Sequence, residues 1–436
     1  MDLHILAPIA IFLFSFTLII FEVFDKALIA MTGAALMVAL GYLHLEDAIQ
    51  AVDFETLLLL ASMMIIVEVI RRSGLLSLMN VRLAEFSQGN PFLIFLIFSL
   101  TTPILAAFLN SVTVILIMVP LTITFIRGIG FDPKPFVLAQ ILFVNIGGAA
   151  TLIGDPTNTI VGIATEMNFN DFILNMGPVV LAAILVNIVL FYIIEWKKLK
   201  PISNDLLKLF ASHVLIQKLK YNFLSLNFDK AFAVKSVAVL GLTIIGFFIQ
   251  SLLNIPLALI ALAGALCTLF LQRKNVTMHS VLKNLEWSTF FFFMGLFIMV
   301  AGVEHTGILN IIGNFLAHST ESLRLLLLII LWSSAILSML LDNIPFVTLM
   351  IPVIFSVQTQ LAGQPHTDLL WWALLLGAVL GGNGTMIGAT GSVVGTDIAR
   401  RHGLAFSFFG FLKYSLPLTL VSLTLSSGYL LLRTWL

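Results

Sequence analysis

Asn145-Ile-Gly-Gly-Ala-Ala-Thr-Leu-Ile-Gly-Asp-Pro-Thr-Asn-Thr159 and Val379-Leu-Gly-Gly-Asn-Gly-Thr-Met-Ile-Gly-Ala-Thr-Gly-Ser-Val393 are two versions of one stretch. At an offset of 234, Gly147, Gly148, Thr151, Ile153 and Gly154 fall on Gly381, Gly382, Thr385, Ile387 and Gly388. Each lies inside an apolar segment, 136–163 and 370–397, long enough to cross a bilayer. Glycines, a proline and small hydroxyl residues at such a place interrupt a helix at mid-membrane. Unwound backbone at that depth is tolerated only where it is buried in protein or lines a cavity.

Composition fits that placement. The 436 residues are 60% hydrophobic and 10% charged, with a mean hydropathy of +1.09; a soluble domain carries about 25% charged residues. The net charge of zero gives no reason to expect nucleic acid as a partner. The single cysteine, Cys267, excludes an intrachain disulfide and a cysteine metal site. No histidines stand at ligand spacing, so no metal centre is expected. Met1-Asp2-Leu3-His4 lacks the basic start of a signal peptide, so the first apolar run reads as a span.

Working outward, the halves repeat one plan. Residues 1–195 hold spans at about 5–23, 27–43, 56–70 and 173–195, a helical hairpin at 92–127 and the broken helix at 136–163. Residues 196–230, with seven lysines, form a polar linker. Residues 231–436 hold spans at about 231–250, 255–271, 289–303 and 414–434, a hairpin at 323–357 and the broken helix at 370–397. Asp53-Phe-Glu-Thr56 aligns with Glu286-Trp-Ser-Thr289 at an offset of 233, which also puts Gly74 on Gly307. The hairpin tips Leu109-Asn110-Ser111 and Leu341-Asp342-Asn343 correspond at 232.

Threading the chain through the membrane collects 20 of the 22 basic residues on one side, leaving only Arg324 and Arg433 opposite. That side is expected to be cytoplasmic, with both termini outside. The repeats are then inverted. The fold class that follows is an all-α polytopic membrane protein of two inverted repeats, each with a helical hairpin and a broken transmembrane helix: about 10 spans plus 2 hairpins.

Four half-helix starts fall at the tips and breaks. Asp155-Pro156 is an N-cap followed by proline, Asp342-Asn343-Ile344-Pro345 is a similar start, and Asn110/Ser111 and Thr390/Ser392 supply cap-type residues in the other two places. Unpaired N–H groups and partial positive charge at helix N-termini suit an anion or an oxygen-rich solute. Paired broken helices in two halves are the sequence sign of a carrier's solute site. The candidate binding residues are Asn110, Ser111, Thr113, Thr151, Asp155, Thr157, Asn158, Asp342, Asn343, Asn383, Thr385, Thr390 and Ser392. Asp155 and Asp342 are the acids of the mid-membrane motifs and the candidates for a coupling H+ or Na+, since buried intramembrane carboxylates commonly mark ion pathways; the bland alternative is that they only cap helices. Glu68, four residues before Arg72, reads as half of a helix ion pair.

Asp53-Phe-Glu-Thr56, Gly147–Asn158 (GGAATLIGDPTN), Leu341–Pro352 (LDNIPFVTLMIP) and Gly381–Gly388 (GGNGTMIG) resemble the ion-transporter superfamily. The group is that of ArsB-type arsenite permeases, NhaD-type sodium/proton antiporters and the melanosomal P protein, with a citrate-transporter-like domain. The resemblance covers essentially the whole chain. It implies a non-enzymatic secondary transporter without cofactor, coupled to a proton or cation gradient, in a bacterial or archaeal cell membrane. ArsB-like efflux of arsenite, antimonite or another small oxyanion comes first, followed by sodium/proton antiport, dicarboxylate or citrate transport, and a passive anion channel. One departure is plain: the group often has Asp-Asn at the first tip, where this chain has Asn110-Ser111.

The chain lacks a phosphate-binding G-x-x-x-x-G-K-[ST] loop, which argues against a primary pump, although a separate ATPase subunit and a homodimer stay open as partners. Leu152 occupies the first glycine position of the G-x-G-D motif of intramembrane aspartyl proteases.

Overall fold

The computed structural model describes residues 3–21, 24–87, 90–199 and 229–435. Most of the linker expected at 196–230, with Lys200, Lys208, Lys218 and Lys220, lies outside the described residues. Among those described, the chain is all-helical, without a strand.

The first half runs α1 (Leu3–Ile20), α2 (Lys26–Ala39), α3 (Leu45–Gln50), α4 (Phe54–Arg72), α5 (Leu75–Phe86), the hairpin arms α6 (Pro91–Phe108) and α7 (Ser111–Gly128), the broken pair α8 (Lys134–Gly148) and α9 (Pro156–Ala164), α10 (Phe169–Asn175) and α11 (Gly177–Leu199). The second runs α12 (Lys230–Phe248), α13 (Gln250–Leu253), α14 (Leu257–Leu271), α15 (Met278–Leu282), α16 (Trp287–Glu304), α17 (Ile308–His318), the hairpin arms α18 (Leu323–Leu340) and α19 (Asn343–Gln360), the broken pair α20 (Leu369–Gly381) and α21 (Thr390–Arg401), and α22 (Phe408–Arg433). Seven of these helices are long and apolar enough to cross a membrane unaided. The last span starts earlier than its apolar run suggests, because Ser407 caps it by accepting from Gly410 N at 3.0 Å.

Backbone angles repeat with the sequence. Gly74 and Gly307 both take left-handed φ, +72° and +75°, and start the short amphipathic helices α5 and α17. Leu109 and Leu341 are both extended at the tips. Asp155 (φ −136°, ψ 137°) and Ala389 (φ −145°, ψ 141°) hold the same conformation at the end of each break.

The repeats run in opposite directions. Arg72, the last residue of α4, donates to Ser280 Oγ at 2.7 Å, and Glu68 accepts from Asn284 at 2.8 Å, so the end of α4 meets the approach to α16, its counterpart. The repeats also exchange elements: α2 packs on α16 and α14 on α4. A Cβ on Gly295 would come within 2.5 Å of the Ala30 backbone, so the α2–α16 crossing depends on that glycine.

Helices α8 and α20 form the centre. Helix α8 is buried at every residue after Lys134 and α20 along its whole length, as helices inside a jacket of other helices must be. Each lies against the first arm of its own hairpin, α8 on α6 and α20 on α18, while the second arms cross over, α7 to α21 and α19 to α9. This exchange brings both tips and both breaks to one place.

Candidate functional site

The breaks are held open by backbone contact between glycines. A Cβ on Gly154 would lie 2.5 Å from Gly148 O and 2.9 Å from Ala106 O; one on Gly388 would lie 2.7 Å from both Gly382 O and Ser338 O. Hydroxyls then fasten each break to its hairpin, Thr151 donating to Ala107 O and Thr385 to Met339 O. Asn158 Nδ2 spans the first break, reaching the carbonyls of Gly148, Ala149 and Thr151 at 3.3, 3.2 and 2.8 Å. Each bond gives a buried carbonyl, freed by the unwinding, a partner it needs in an apolar setting.

The breaks are also tied to each other. Asn145 Nδ2 donates to Asn383 Oδ1 at 2.8 Å and Ser392 Oγ at 3.0 Å, and Asn383 Nδ2 returns to Leu142 O at 2.8 Å. All three side chains are buried. Asn145 opens the stretch from which the fold was read, yet only its contact across the repeats reveals its role.

Four helix N-termini converge on a cavity of about 60 Å³. Its walls include Asn110 and Ser111 of the first tip, Asp155 and Pro156 of the first break, Asn343 of the second tip and Thr390 of the second break, together with Asn145, Glu286 and Thr289. A second cavity shares Asn110, Pro156 and Glu286 as walls and continues past Thr113 to Glu68 and Asn284. The first thus brings together Asn110, Ser111, Asp155, Asn343 and Thr390, with Thr113 next door. Thr151, Asn158, Asn383 and Thr385 donate to backbone carbonyls of the surrounding scaffold, while Thr157 and Ser392 bond to the wall residues Asp155 and Asn145.

The caps differ between repeats. Asn110 Oδ1 accepts from Val112 N at 2.8 Å and Asp342 Oδ1 from Ile344 N at 3.3 Å. Asp155 Oδ1 accepts from Thr157 N at 2.9 Å and Thr157 Oγ1 at 2.5 Å, whereas Ala389 offers no side chain. Asp155 also lies within electrostatic reach of Asp342 and shares the cavity wall with Asn343. Asp342 keeps its second oxygen for Lys26, whose Nζ stands 2.7 Å from Oδ2. In sequence Lys26 looked like an ordinary charge at a span end; nothing short of the fold brings it to the second tip.

Glu286 stands just before α16, with burial pushing its carboxyl up and a hydrogen bond from Thr289 Oγ1, at 3.3 Å, pulling the other way. Two buried oxygens beside Gly148, Ser111 Oγ and Asn158 Oδ1, find no hydrogen-bond partner among the described residues. No group of three or more His, Cys, Asp or Glu capable of holding a metal occurs among the described residues.

A family model described as citrate transporter, CitMHS, matches residues 16–377. A 46 kDa membrane protein of Mycobacterium leprae is 33% identical over 98% of both chains. An uncharacterized transporter of Mycobacterium tuberculosis is 34% identical over 98% of this chain and 97% of its own. The P protein of Mus musculus is 32% identical over 99% of this chain and 60% of its own length. Among solved structures, the YdaH transporter of Alcanivorax borkumensis superposes with a TM-score of 0.57 at 15% identity, covering 93% of this chain and 96% of that one, a likeness of fold.

Proposed function

We propose, for a chain that belongs to the CitMHS citrate transporter family, that the solute is a small inorganic acid bearing hydroxyls, of the arsenite and antimonite class. The protein is an integral membrane transporter. In this reading it exports the solute by alternating access, coupled to a proton or cation gradient. The observation that carries the reading is the convergence of four helix N-termini, with Asn and Thr side chains and the Asp155 carboxylate, around a cavity of about 60 Å³. Such walls offer both donors and acceptors, as a neutral hydroxyl acid requires, since its O–H groups donate as well as accept. A tricarboxylate would face Asp155 and Glu286 without a basic residue among the described wall residues.

Expression should raise arsenite tolerance in a sensitive host and lower its accumulated arsenic. Tolerance to sodium or lithium alone, with arsenite unaffected, would instead select sodium/proton antiport. That second reading draws on the oxygen-rich wall and the orphaned Ser111 and Asn158 oxygens.

The basic bias supports a cytoplasmic location for the face carrying Arg71, Arg72 and Lys283. Because Cys267 is free and exposed, labelling needs a Cys267→Ser background. In it, Lys274→Cys should react with an impermeant maleimide only from the cytoplasm and Glu166→Cys only from outside. Reaction of both from one side would refute this orientation.

A further inference from the structure

We infer that Lys26 is a tethered counter-ion of the second hairpin tip, standing where an additional coupling cation would otherwise bind Asp342, and so lowers by one the number of cations the carrier takes up. The inference rests on the transporter reading above, and specifically on cation coupling through the acids of the tips and breaks.

The geometry carries it in three steps. The first is contact: Lys26 Nζ lies 2.7 Å from Asp342 Oδ2, with the carboxylate side chain 10% exposed and the lysine 31% exposed. The acid is close to the protein interior, while the ammonium reaches it from a wetter position and can leave without being stranded. The second is placement. Lys26 is the first residue of α2, and Asp25 fixes that end by accepting from Ala27 N at 2.9 Å and from Ser288 Oγ at 3.1 Å. The lysine is therefore anchored beside α16 while its partner rides on the tip of α18–α19. Relative movement of those elements breaks or makes the pair.

The third step is the internal comparison that the duplication permits. At the α2–α14 offset of 231, which puts Gly33 on Gly264, Lys26 corresponds to Leu257. Asp342 corresponds to Asn110. Both charges are thus missing together from the other repeat, although its tip has the same backbone shape and the same cap bond. The pair is an addition to the scaffold, and tip formation does not require it. Among the described residues, other charged groups around the second tip are Asp25, Asp155 before α9 and Glu286 before α16. Among the described residues no lysine or arginine lines the cavity, so loss of the Lys26 charge leaves Asp342 to be neutralised from solution.

The test counts bound cations on purified protein without any solute. Thermal stability is followed against NaCl, with choline chloride holding ionic strength constant, and against pH; the slope on a logarithmic concentration axis gives the number of ions linked to the native state. Lys26→Gln should raise that number by about one, in sodium or in protons. Lys26→Arg should match the wild type, and so should Lys26→Leu/Asp342→Asn, which copies the first repeat. An unchanged slope for folded Lys26→Gln in both titrations overturns the inference. Should Lys26→Gln not fold, the double variant decides. Folding with the wild-type slope supports the inference; failure to fold makes the pair a structural clasp and overturns it. Because no arsenite enters the assay, an error in the proposed solute leaves this result intact.

Discussion

Gly147→Ala, and equally Gly381→Ala, should prevent folded protein from accumulating in the membrane. The methyl group on residue 147 would sit 2.3 Å from both Cα and O of Pro103, and on residue 381 it would sit 2.5 Å from Cα of Ala335. The obstructing atoms are backbone, so no side chain can rotate aside. Either α8 parts from α6, or α20 from α18, or the break changes shape. Overpacking in a dense interior typically costs about 1–3 kcal/mol. Here the cost should reach the top of that range or beyond, because each crossing joins a central helix to the arm that carries a tip. The controls are Gly241→Ala and Gly428→Ala, on α12 and α22, where an added Cβ meets nothing within 4 Å. Those should be neutral or gain about 0.5–1 kcal/mol from helix propensity. Fluorescent-fusion gel filtration and thermal midpoints of all four variants check the contrast. Well-folded, wild-type-like Gly147→Ala and Gly381→Ala would mean that the breaks are not held by these crossings.

Asp155→Asn should leave a folded carrier that no longer concentrates its solute. Asparagine is a cap of similar quality and can still accept from Thr157 N, so α9 keeps its start. What disappears is the titratable charge beside Asp342. Gradient-driven accumulation should fall to the level of empty vesicles, while exchange of solute across the membrane persists. Asp342→Asn should lower accumulation less than Asp155→Asn does, because the Lys26 ammonium already stands at Asp342 in place of a cation. Asn110→Asp runs the comparison in reverse. It adds an acid to a tip whose counterpart of Lys26 is Leu257, and should change cation dependence more than folding. Proton- and sodium-driven flux at matched expression separates these outcomes. Concentrative transport near wild type by Asp155→Asn would remove that acid from coupling.

The hairpins, the breaks and the order of elements were legible in the sequence because the physics behind them is local. A membrane-length apolar run broken by Gly-Gly and Asp-Pro can satisfy its backbone in few ways, and two copies at one offset made the pattern specific. The exchange of α2 and α14 between the repeats was not legible. Apolar helices carry little information about which neighbour they choose, and the choice rests on close approaches such as Gly295 against Ala30. The residues nominated from cap chemistry reach the same region, but their side chains divide between cavity and scaffold. Asn110, Ser111, Asp155, Asn343 and Thr390 face the cavity, whereas Thr151 and Thr385 turn to hairpin carbonyls. Lys26, Asn145 and Glu286 were missed for a common reason. Lys26 and Asn145 act through partners more than two hundred residues away, Glu286 meets the first repeat only across the cavity, and a charge at a span end or an amide in a buried helix has no sequence signature of its own.

The central claim is that the meeting point of the two tips and two breaks is the solute site and opens to each side of the membrane in turn. Thr390 lines that cavity, is partly exposed and makes no cap bond there. In a Cys267→Ser background, the rate at which Thr390→Cys reacts with a small impermeant thiol reagent should be measured from each face of sealed, oriented vesicles, with and without antimonite. Reaction from both faces, slowed by antimonite on each, is the predicted result. Reaction from one face only under every gradient, or rates indifferent to the solute, would contradict it.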